Sequence, residues 1–287
     1  MGILSIQSAV AYGHVGNSAA AFPLQRLGFD VWPVNTVQFS NHTGYGAWRG
    51  HVHTAAQVDE IVRGVAERGA LPRCEAVLSG YLGDAELGIS VLNAVAAVRA
   101  ERPDALYACD PVMGDEGRGF FVRPGIPEFF ASLAVPAADI VTPNAFELSY
   151  LAGGHEVRTL DDAIEAAEAV RAKGPRLVVA TSVMLSGAEG QLAVLADCAD
   201  GAWVVRTPLL PATLNGTGDA FTALFVGHYL LAGDVPTALE RAVSAMYAIV
   251  EATYKAEARE LRIVATQDQI TAPARLFRAE RVVDRTR

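Results

Sequence analysis

The chain has 287 residues, of which 51% are hydrophobic and 19% charged, and its net charge is −9. These values allow one large α/β domain over residues 1–287, and the negative charge argues against nucleic acid or an anionic membrane surface as a partner. Lysine occurs only at Lys173 and Lys255. Any bound phosphate must therefore be neutralised mainly by a metal ion, by helix ends or by arginine.

Apolar runs alternate along the chain with stretches of helical spacing. Strands are predicted at residues 3–7, 31–34, 76–79, 106–109, 139–141 and 177–180, with a hairpin of residues 191–195 and 203–206. Helices are predicted at residues 17–27, 55–68, 85–101, 160–172, 218–232 and 235–257, with a short helix from Glu147. Residues 8–13 and 38–50 are predicted loops. This alternation indicates a mostly parallel central sheet with helices on both faces.

Cysteine usage and the apolar stretches bear on where the protein works. The three cysteines, Cys74, Cys109 and Cys198, have no metal-binding or redox spacing, which is typical of buried thiols in a reducing compartment. Residues 220–233 are apolar but too few to span a bilayer. The first residues carry no basic stretch of an export signal. We therefore expect a cytoplasmic protein without a membrane partner.

Polar and acidic residues follow most of the predicted strands. In a parallel sheet, ligands bind beyond the carboxyl ends of the strands, so these residues should share one crevice. They are Ser8, Gly80, Tyr81, Asp110, Thr142, Pro143, Asn144, Thr181 and Ser182. Asp110 and Glu147 are candidates for holding a hard cation through water. Alternatively, Asp110 is a turn residue before Pro111, and Glu147 is an acid favoured by the dipole of its helix.

Residues 214–231 combine a glycine turn with one acid at the start of an apolar helix. Gly216 and Gly218 leave backbone N–H groups free to bind an anion. Asp219 would then take a proton from an attacking hydroxyl while those N–H groups hold a phosphoryl group. Alternatively, Asp219 only caps its helix. The chain contains neither a phosphate-binding loop with lysine nor the third glycine of a dinucleotide fingerprint.

Eight stretches, in order, closely resemble pyridoxal kinases of the ribokinase-like superfamily. They are YGHVGNSAA (12–20), FPLQRLG (22–28), NTVQFSNHTGY (35–45), LSGYLG (78–83), CDPVMGD (109–115), TPNAFEL (142–148), ATS (180–182) and NGTGDAF (215–221). The similarity thins in residues 153–173 and in the last dozen residues. The glycine–acid motif is common to the superfamily, whereas residues 35–45 are far more specific.

The resemblance implies a ribokinase-like three-layer sandwich and ATP-dependent phosphorylation of the 5′-hydroxymethyl group of pyridoxal. Asp219 would be the base, with the backbone of Gly216, Thr217 and Gly218 as the anion hole. The implied pyridoxal pocket comprises Ser8, Val15, Phe39, His42, Thr43, Gly44 and Tyr81 with Asp219. Without the family, a flat pyridine ring likewise needs apolar walls and a few polar atoms. Alternatively, Val15 and Phe39 are ordinary core residues, and His42 is a loop histidine with satisfied hydrogen bonds. Tyr45 and Trp48 would then simply anchor the same loop.

The resemblance also implies a nucleotide side. The metal and phosphate residues would be Asp110, Asp115, Asn144 and Glu147. The nucleotide contacts would be Thr142, Thr181, Ser182, Gly218, Thr207, Pro208, Leu209 and Leu210, with residues 115–122 as a flap over ATP. Mg²⁺ is the expected cofactor because lysine is scarce, K⁺ is a candidate second ion, and a homodimer is implied.

Two departures from the family pattern concern the nucleotide side. Thr181 stands where some family members have lysine, and Asn215 where a small apolar residue is more usual. The rival enzyme is a hydroxymethylpyrimidine kinase, which resembles this motif but typically has cysteine where Asp219 stands. The rival of another class is a non-catalytic pyridoxal carrier. For catalysis, an aspartate with an unperturbed pKa of about 4 is adequate, because the transition state of phosphoryl transfer is loose.

Overall fold

The computed structural model describes residues 1–286. In these residues the strands are β1 Gly2–Val10, β2 Asp30–Phe39, β3 Gly50–Val52, β4 Cys74–Ser79, β5 Leu106–Cys109, β6 Gly114–Asp115, β7 Gly119–Phe120, β8 Ile140–Val141, β9 Leu177–Val183, β10 Gln191–Cys198, β11 Gly201–Pro208 and β12 Glu280–Asp284. The α-helices are α1 Asn17–Arg26, α2 Ala55–Glu67, α3 Glu86–Glu101, α4 Ile126–Phe129, α5 Val135–Ala137, α6 Ala145–Ala152, α7 Leu160–Arg171, α8 Thr217–Ala232, α9 Val235–Lys255 and α10 Gln267–Thr271. Short helical turns of other types lie at Thr43–Tyr45, Leu71–Arg73 and Phe130–Ala134.

Within residues 1–286, ten strands form one sheet in the order β12-β11-β10-β9-β8-β5-β4-β1-β2-β3, and β6 pairs with β7 in a separate hairpin. Six inner strands, β9, β8, β5, β4, β1 and β2, run parallel. The antiparallel strands lie at the two edges, with β3 on one side and β10, β11 and β12 on the other. The carboxyl ends of the inner strands therefore lie along one side of the sheet.

Helices cover both faces of the sheet, as the sequence predicts. Side chains alternate along a strand, so Ile3 of β1 packs on one face and Leu4 on the other. One face packs against α2, α3, α6 and α7, and the other against α1, α8 and α9. Among the helices of residues 1–286, none is both long and apolar enough to cross a bilayer.

Several predicted bounds are wrong at the ends of the elements. Residues 8–10 are not loop, because the ladder between β1 and β2 continues past a register shift to the pair Val10 and Phe39. The predicted loop 38–50 accordingly begins inside β2 and contains the turn Thr43–Tyr45. The helix predicted from Glu147 begins at Ala145. The predicted hairpin is confirmed, with longer strands.

Candidate active site

A cavity of about 420 Å³ lies at the carboxyl ends of the parallel strands. All of the site residues implied by the family resemblance line it except Gly44: they are Ser8, Val15, Phe39, His42, Thr43, Tyr81, Asp110, Asp115, Thr142, Asn144, Glu147, Thr181, Ser182, Thr207, Pro208, Leu209, Leu210, Gly216, Thr217, Gly218 and Asp219. Gly44 lies beside the cavity, where its N–H donates to Nδ1 of His42 at 3.1 Å. Gly80 and Pro143, predicted for the same crevice, do not line it.

The first turn of α8 presents Asp219 to the cavity. Gly216 is the N-cap, in a left-handed conformation with φ of 81° and without a side-chain capping bond. A Cβ at Gly216 would lie 1.9 Å from the carbonyl oxygen of His14, so this position requires glycine. The interpretation of Asp219 as the helix cap is therefore wrong. The N–H groups of this turn lack intrahelical partners and can bind an anion.

The pKa of Asp219 departs from the ordinary value that the sequence argument used. Burial raises this pKa, and the nearby backbone N–H of Gly16 partly offsets the rise. A carboxylate with a raised pKa takes up a proton more readily. The environment thus makes Asp219 a stronger base than an exposed aspartate.

Asp110 lies buried at the end of β5. Burial raises its pKa well above the usual value, and the negative charges of Glu147 and Asp219 raise it further. The hydroxyl of Thr222 on α8 lies 3.4 Å from the Asp110 carboxylate and 2.8 Å from the hydroxyl of Thr142. This chain of polar groups connects the end of β5 to the helix that carries Asp219.

Glu147 has a structural role as well as a place in the cavity. It forms a capping box with Asn144 at the start of α6, each side chain accepting from the other residue's N–H. Its carboxylate also accepts from the N–H of Met113 at 2.9 Å. Burial nevertheless raises its pKa to about 8, despite these hydrogen bonds. A nearby cation would favour the ionised form of both Asp110 and Glu147.

One end of the cavity is apolar. Val10, Val15, Val37 and Phe39 form a small cluster against which Tyr81 packs, and the ring of Phe39 lies 4.1 Å from that of Trp48. Sequence reasoning missed Val10 and Val37 because it ended β1 and β2 too early. His42 caps the turn Thr43–Tyr45, and burial together with the charge of Arg118 lowers the pKa of its imidazole.

The other end of the cavity combines strand ends with a face of α9. Residues that sequence reasoning missed here are Leu192, Val194, Ala212, Leu214, Phe221, Val243, Met246, Tyr247 and Val250. The last four recur at helical spacing, a signal that predicts one face but not its partner. Ser182 has a left-handed φ of 56°, which is uncommon for a residue other than glycine.

Positive charge is scarce around this cavity. Of the described residues that line it, Arg118 in the β6–β7 hairpin is the only lysine or arginine. Lys173 instead donates to the carbonyl of Leu151, and Lys255 pairs with Glu251. Thr181 lines the cavity without adding charge.

The chain is similar to known proteins over nearly its whole length. A family model described as phosphomethylpyrimidine kinase matches residues 52–263. The pyridoxal kinase of Rubrobacter xylanophilus is 58% identical over 284 residues, which cover 98% of this chain and 98% of that protein. The chain belongs to the pyridoxal kinase family. Its relative from Deinococcus radiodurans, also a pyridoxal kinase, is 52% identical over 98% of this chain and 96% of that one.

A solved structure of the pyridoxal kinase family has the same fold. The pyridoxal kinase from Leishmania donovani, in complex with ADP and ginkgotoxin, superposes with a TM-score of 0.91 at 34% sequence identity. The match covers 97% of this chain and 98% of that chain. The predicted ribokinase-like fold and the resemblance to pyridoxal kinases are therefore confirmed.

Proposed function

We propose that this protein transfers the terminal phosphoryl group of ATP to the 5′-hydroxymethyl group of pyridoxal, giving pyridoxal 5′-phosphate, with Asp219 as the base. The position of Asp219 carries the proposal. Its carboxylate lies near the backbone N–H of Gly16, next to the apolar end of the cavity, and interacts electrostatically with Asp110 at the strand ends. It therefore lies at the junction between a site for a flat ring and a site for phosphates.

The apolar end suits a substituted pyridine. Val15, Phe39 and Tyr81 provide apolar and aromatic walls, and the polar groups of Ser8 and Thr43 face the same cavity. A ring that stacks between such walls is oriented by a few polar contacts to its nitrogen and phenolic oxygen. In this orientation its hydroxymethyl arm would extend toward Asp219, which accepts the proton as the oxygen attacks.

The phosphate end stabilises the group in transfer. The N–H groups of the first turn of α8 serve as the anion hole for the phosphoryl oxygens, with Gly216, Thr217 and Gly218 providing the backbone. Asp115, Asn144, Thr181 and Ser182 line this end of the cavity, and Thr142 joins them. Thr207, Pro208, Leu209 and Leu210 at the end of β11, together with the face of α9, form the apolar wall expected of a nucleotide site.

The carboxylates of the site fit a divalent cation. Among residues 1–286, no group of three or more His, Cys, Asp or Glu side chains forms a ready-made metal site. Mg²⁺ usually takes only one or two protein carboxylates together with phosphate oxygens, so Asp110 and Glu147 suffice, directly or through water. When bound, Mg²⁺ would neutralise charge on the phosphates. K⁺ is part of the proposal as a second ion.

A hydroxymethylpyrimidine kinase is the competing function, because the matching family model is described as phosphomethylpyrimidine kinase, a kinase of a related pyrimidine. The curated relatives at 58% and 52% identity, both pyridoxal kinases, favour pyridoxal as the substrate. The test is ATP consumption with pyridoxal, pyridoxine, pyridoxamine and hydroxymethylpyrimidine, with each product identified by ³¹P NMR. We expect pyridoxal to give the highest kcat/KM and a 5′-phosphate ester. Preferential turnover of hydroxymethylpyrimidine would refute the assignment, and pyridoxal binding without ATP consumption would indicate a carrier.

The proposal includes the remaining properties expected from the sequence: a single domain, a homodimer and a cytoplasmic location. All three cysteines are free and buried, in keeping with a reducing compartment. Light scattering on the purified chain gives the oligomeric state directly, and a monomer at working concentrations would contradict the dimer.

A further inference from the structure

A carboxylate far from the cavity in sequence joins two loops beside the apolar end. Glu260 lies between α9 and α10 and is half-buried. Its Oε2 accepts from the backbone N–H of His14 at 3.0 Å, and its Oε1 accepts from the hydroxyl of Tyr45 at 2.5 Å. His14 belongs to the β1–α1 loop and Tyr45 to the β2–β3 loop. One side chain therefore bridges both loops.

Neighbouring contacts strengthen this bridge. The guanidinium of Arg259 lies 3.6 Å from the centre of the Tyr45 ring and donates to the carbonyl of Gly44 at 3.1 Å. The hydrogen bond to Glu260 raises the pKa of Tyr45 to about 12, so the phenol stays protonated as a donor. A Cβ on Gly13 would lie 2.2 Å from Oε2 of Glu260, which shows how closely the carboxylate approaches that loop.

The bridged loops carry substrate-facing groups, whereas the bridge itself does not reach the cavity. The first loop holds Val15 and the second holds Thr43, and both residues line the apolar end. Thr43 and Tyr45 belong to the same short helical turn. Glu260 and Tyr45 are absent from the cavity wall. Glu260 therefore acts on the cavity by positioning these loops and through its charge, which raises the pKa of His42 in the cavity wall.

We propose that Glu260 is a positioning residue. It holds the β2–β3 loop, which bears Thr43, against the β1–α1 loop, which bears Val15, and so preorganises the pocket for the pyridine ring. This inference rests on the proposed function. When only a fraction of the molecules has the binding-competent arrangement, the apparent affinity equals the intrinsic affinity multiplied by that fraction. Loss of the bridge should therefore weaken binding of the pyridine substrate and leave the nucleotide site unchanged.

The test measures KM for pyridoxal and for ATP separately, together with kcat and the melting temperature. We expect Glu260→Ala to raise the pyridoxal KM roughly tenfold, as expected for loss of a charge-assisted hydrogen bond. The ATP KM should stay within roughly twofold of wild type, because Glu260 is absent from the nucleotide end of the cavity. The fall in kcat should be smaller than the rise in the pyridoxal KM, since the β1–α1 loop also lies against Gly216 at the start of α8. Tyr45→Phe keeps the bond from His14 and should give a smaller rise. The control is Asp268→Ala, an exposed acid outside the cavity.

A titration of pyridoxal binding without ATP provides a second readout that does not depend on turnover. An unchanged pyridoxal KM in Glu260→Ala, or an equal rise in both KM values, would overturn the inference. If Glu260→Ala does not fold, Tyr45→Phe and Glu260→Gln decide in the same way. If wild-type protein fails to phosphorylate pyridoxal, both the proposed function and this inference are wrong. If wild-type turnover is normal and the variants keep the wild-type pyridoxal KM, only this inference is wrong.

Discussion

The backbone N–H of Gly16 lies close enough to the carboxylate of Asp219 to lower its pKa. Gly16 is the N-cap of α1, with φ of 54° and ψ of −135°, and a Cβ there would lie 2.1 Å from the carbonyl oxygen of Ser8. Only glycine fits this position without displacing β1. The loop that bears Val15 also packs on the start of the helix that bears Asp219, because the His14 carbonyl lies directly against Gly216.

The two glycines that flank α8, one at each end, provide a matched pair of positions for mutation. Gly216 and Gly233 have similar φ values, 81° and 73°, but a Cβ at Gly216 would meet the His14 carbonyl whereas one at Gly233 has open space. We expect Gly233→Ala to lower the free energy of unfolding by about 1 kcal/mol with normal turnover. Gly216→Ala should cost more and reduce kcat, because the anion hole must shift. Chemical denaturation and steady-state kinetics on both variants measure this, and equal effects on kcat would contradict the account.

Residues at the ends of strands were predictable because the signal is local. An apolar run followed by a polar residue marks a strand end, and parallel strands place their ends together. Asp110, Thr142 and Thr181 are predicted to lie together from the sequence alone, and all three line the cavity. The specific motif of residues 35–45 added the loop with Thr43.

Contacts that depend on tertiary pairing were beyond the sequence. Glu260 meets Tyr45 across 215 residues, and no local pattern indicates that partner. Strand β12 was missed because its partner β11 is far away in the sequence. Arg285, just beyond its end, likewise pairs with the distant buried carboxylate of Asp197 at 2.7 Å. The raised pKa of Asp219 likewise depends on burial, which follows from packing and not from its neighbours in the chain.

Mg²⁺ dependence follows from the buried acids. We expect EDTA to abolish turnover and added Mg²⁺ to restore it. Because the pKa of Asp110 is raised and that of Glu147 is about 8, cation binding must displace protons, so Mg²⁺ should bind more tightly as pH rises toward 8. Asp110→Asn should raise the Mg²⁺ concentration needed for half-activation roughly tenfold or more.

The matched control for that variant is Asp104→Asn, an exposed aspartate paired with Arg102. It should leave the Mg²⁺ activation curve unchanged. Full activity in EDTA would rule out the proposed role of Mg²⁺. Identical Mg²⁺ activation curves for the two aspartate variants would show that Asp110 does not hold the ion.

His228 should make stability depend on pH. The ring is buried in α8, where Nε2 donates to the carbonyl of Ile270 at 3.1 Å and Nδ1 has no partner among the described residues. Burial lowers the pKa of His228 from 6.5 to about 4. The unfolded chain therefore takes up this proton first as pH falls, and the free energy of unfolding should drop by about 3 kcal/mol between pH 6.5 and 4.

Denaturant unfolding of wild type and His228→Gln across this pH range isolates the contribution, because glutamine can still donate to Ile270 but does not titrate. The free energy of unfolding of wild type minus that of the variant should be constant above pH 7. Below pH 7 this difference should fall, because only the wild type is destabilised by protonation of His228 in the unfolded chain. Parallel curves throughout would show that His228 is not the group responsible.

The role of Asp219 as base is the central claim, and Asp219→Asn tests it most directly. Pyridoxal and ATP binding should be retained, because asparagine has nearly the same shape, while single-turnover phosphorylation should slow roughly 10²-fold or more, as for loss of a positioned base. The measurement is rapid-quench formation of pyridoxal 5′-phosphate with saturating Mg²⁺ and ATP. A rate close to wild type would contradict the mechanism.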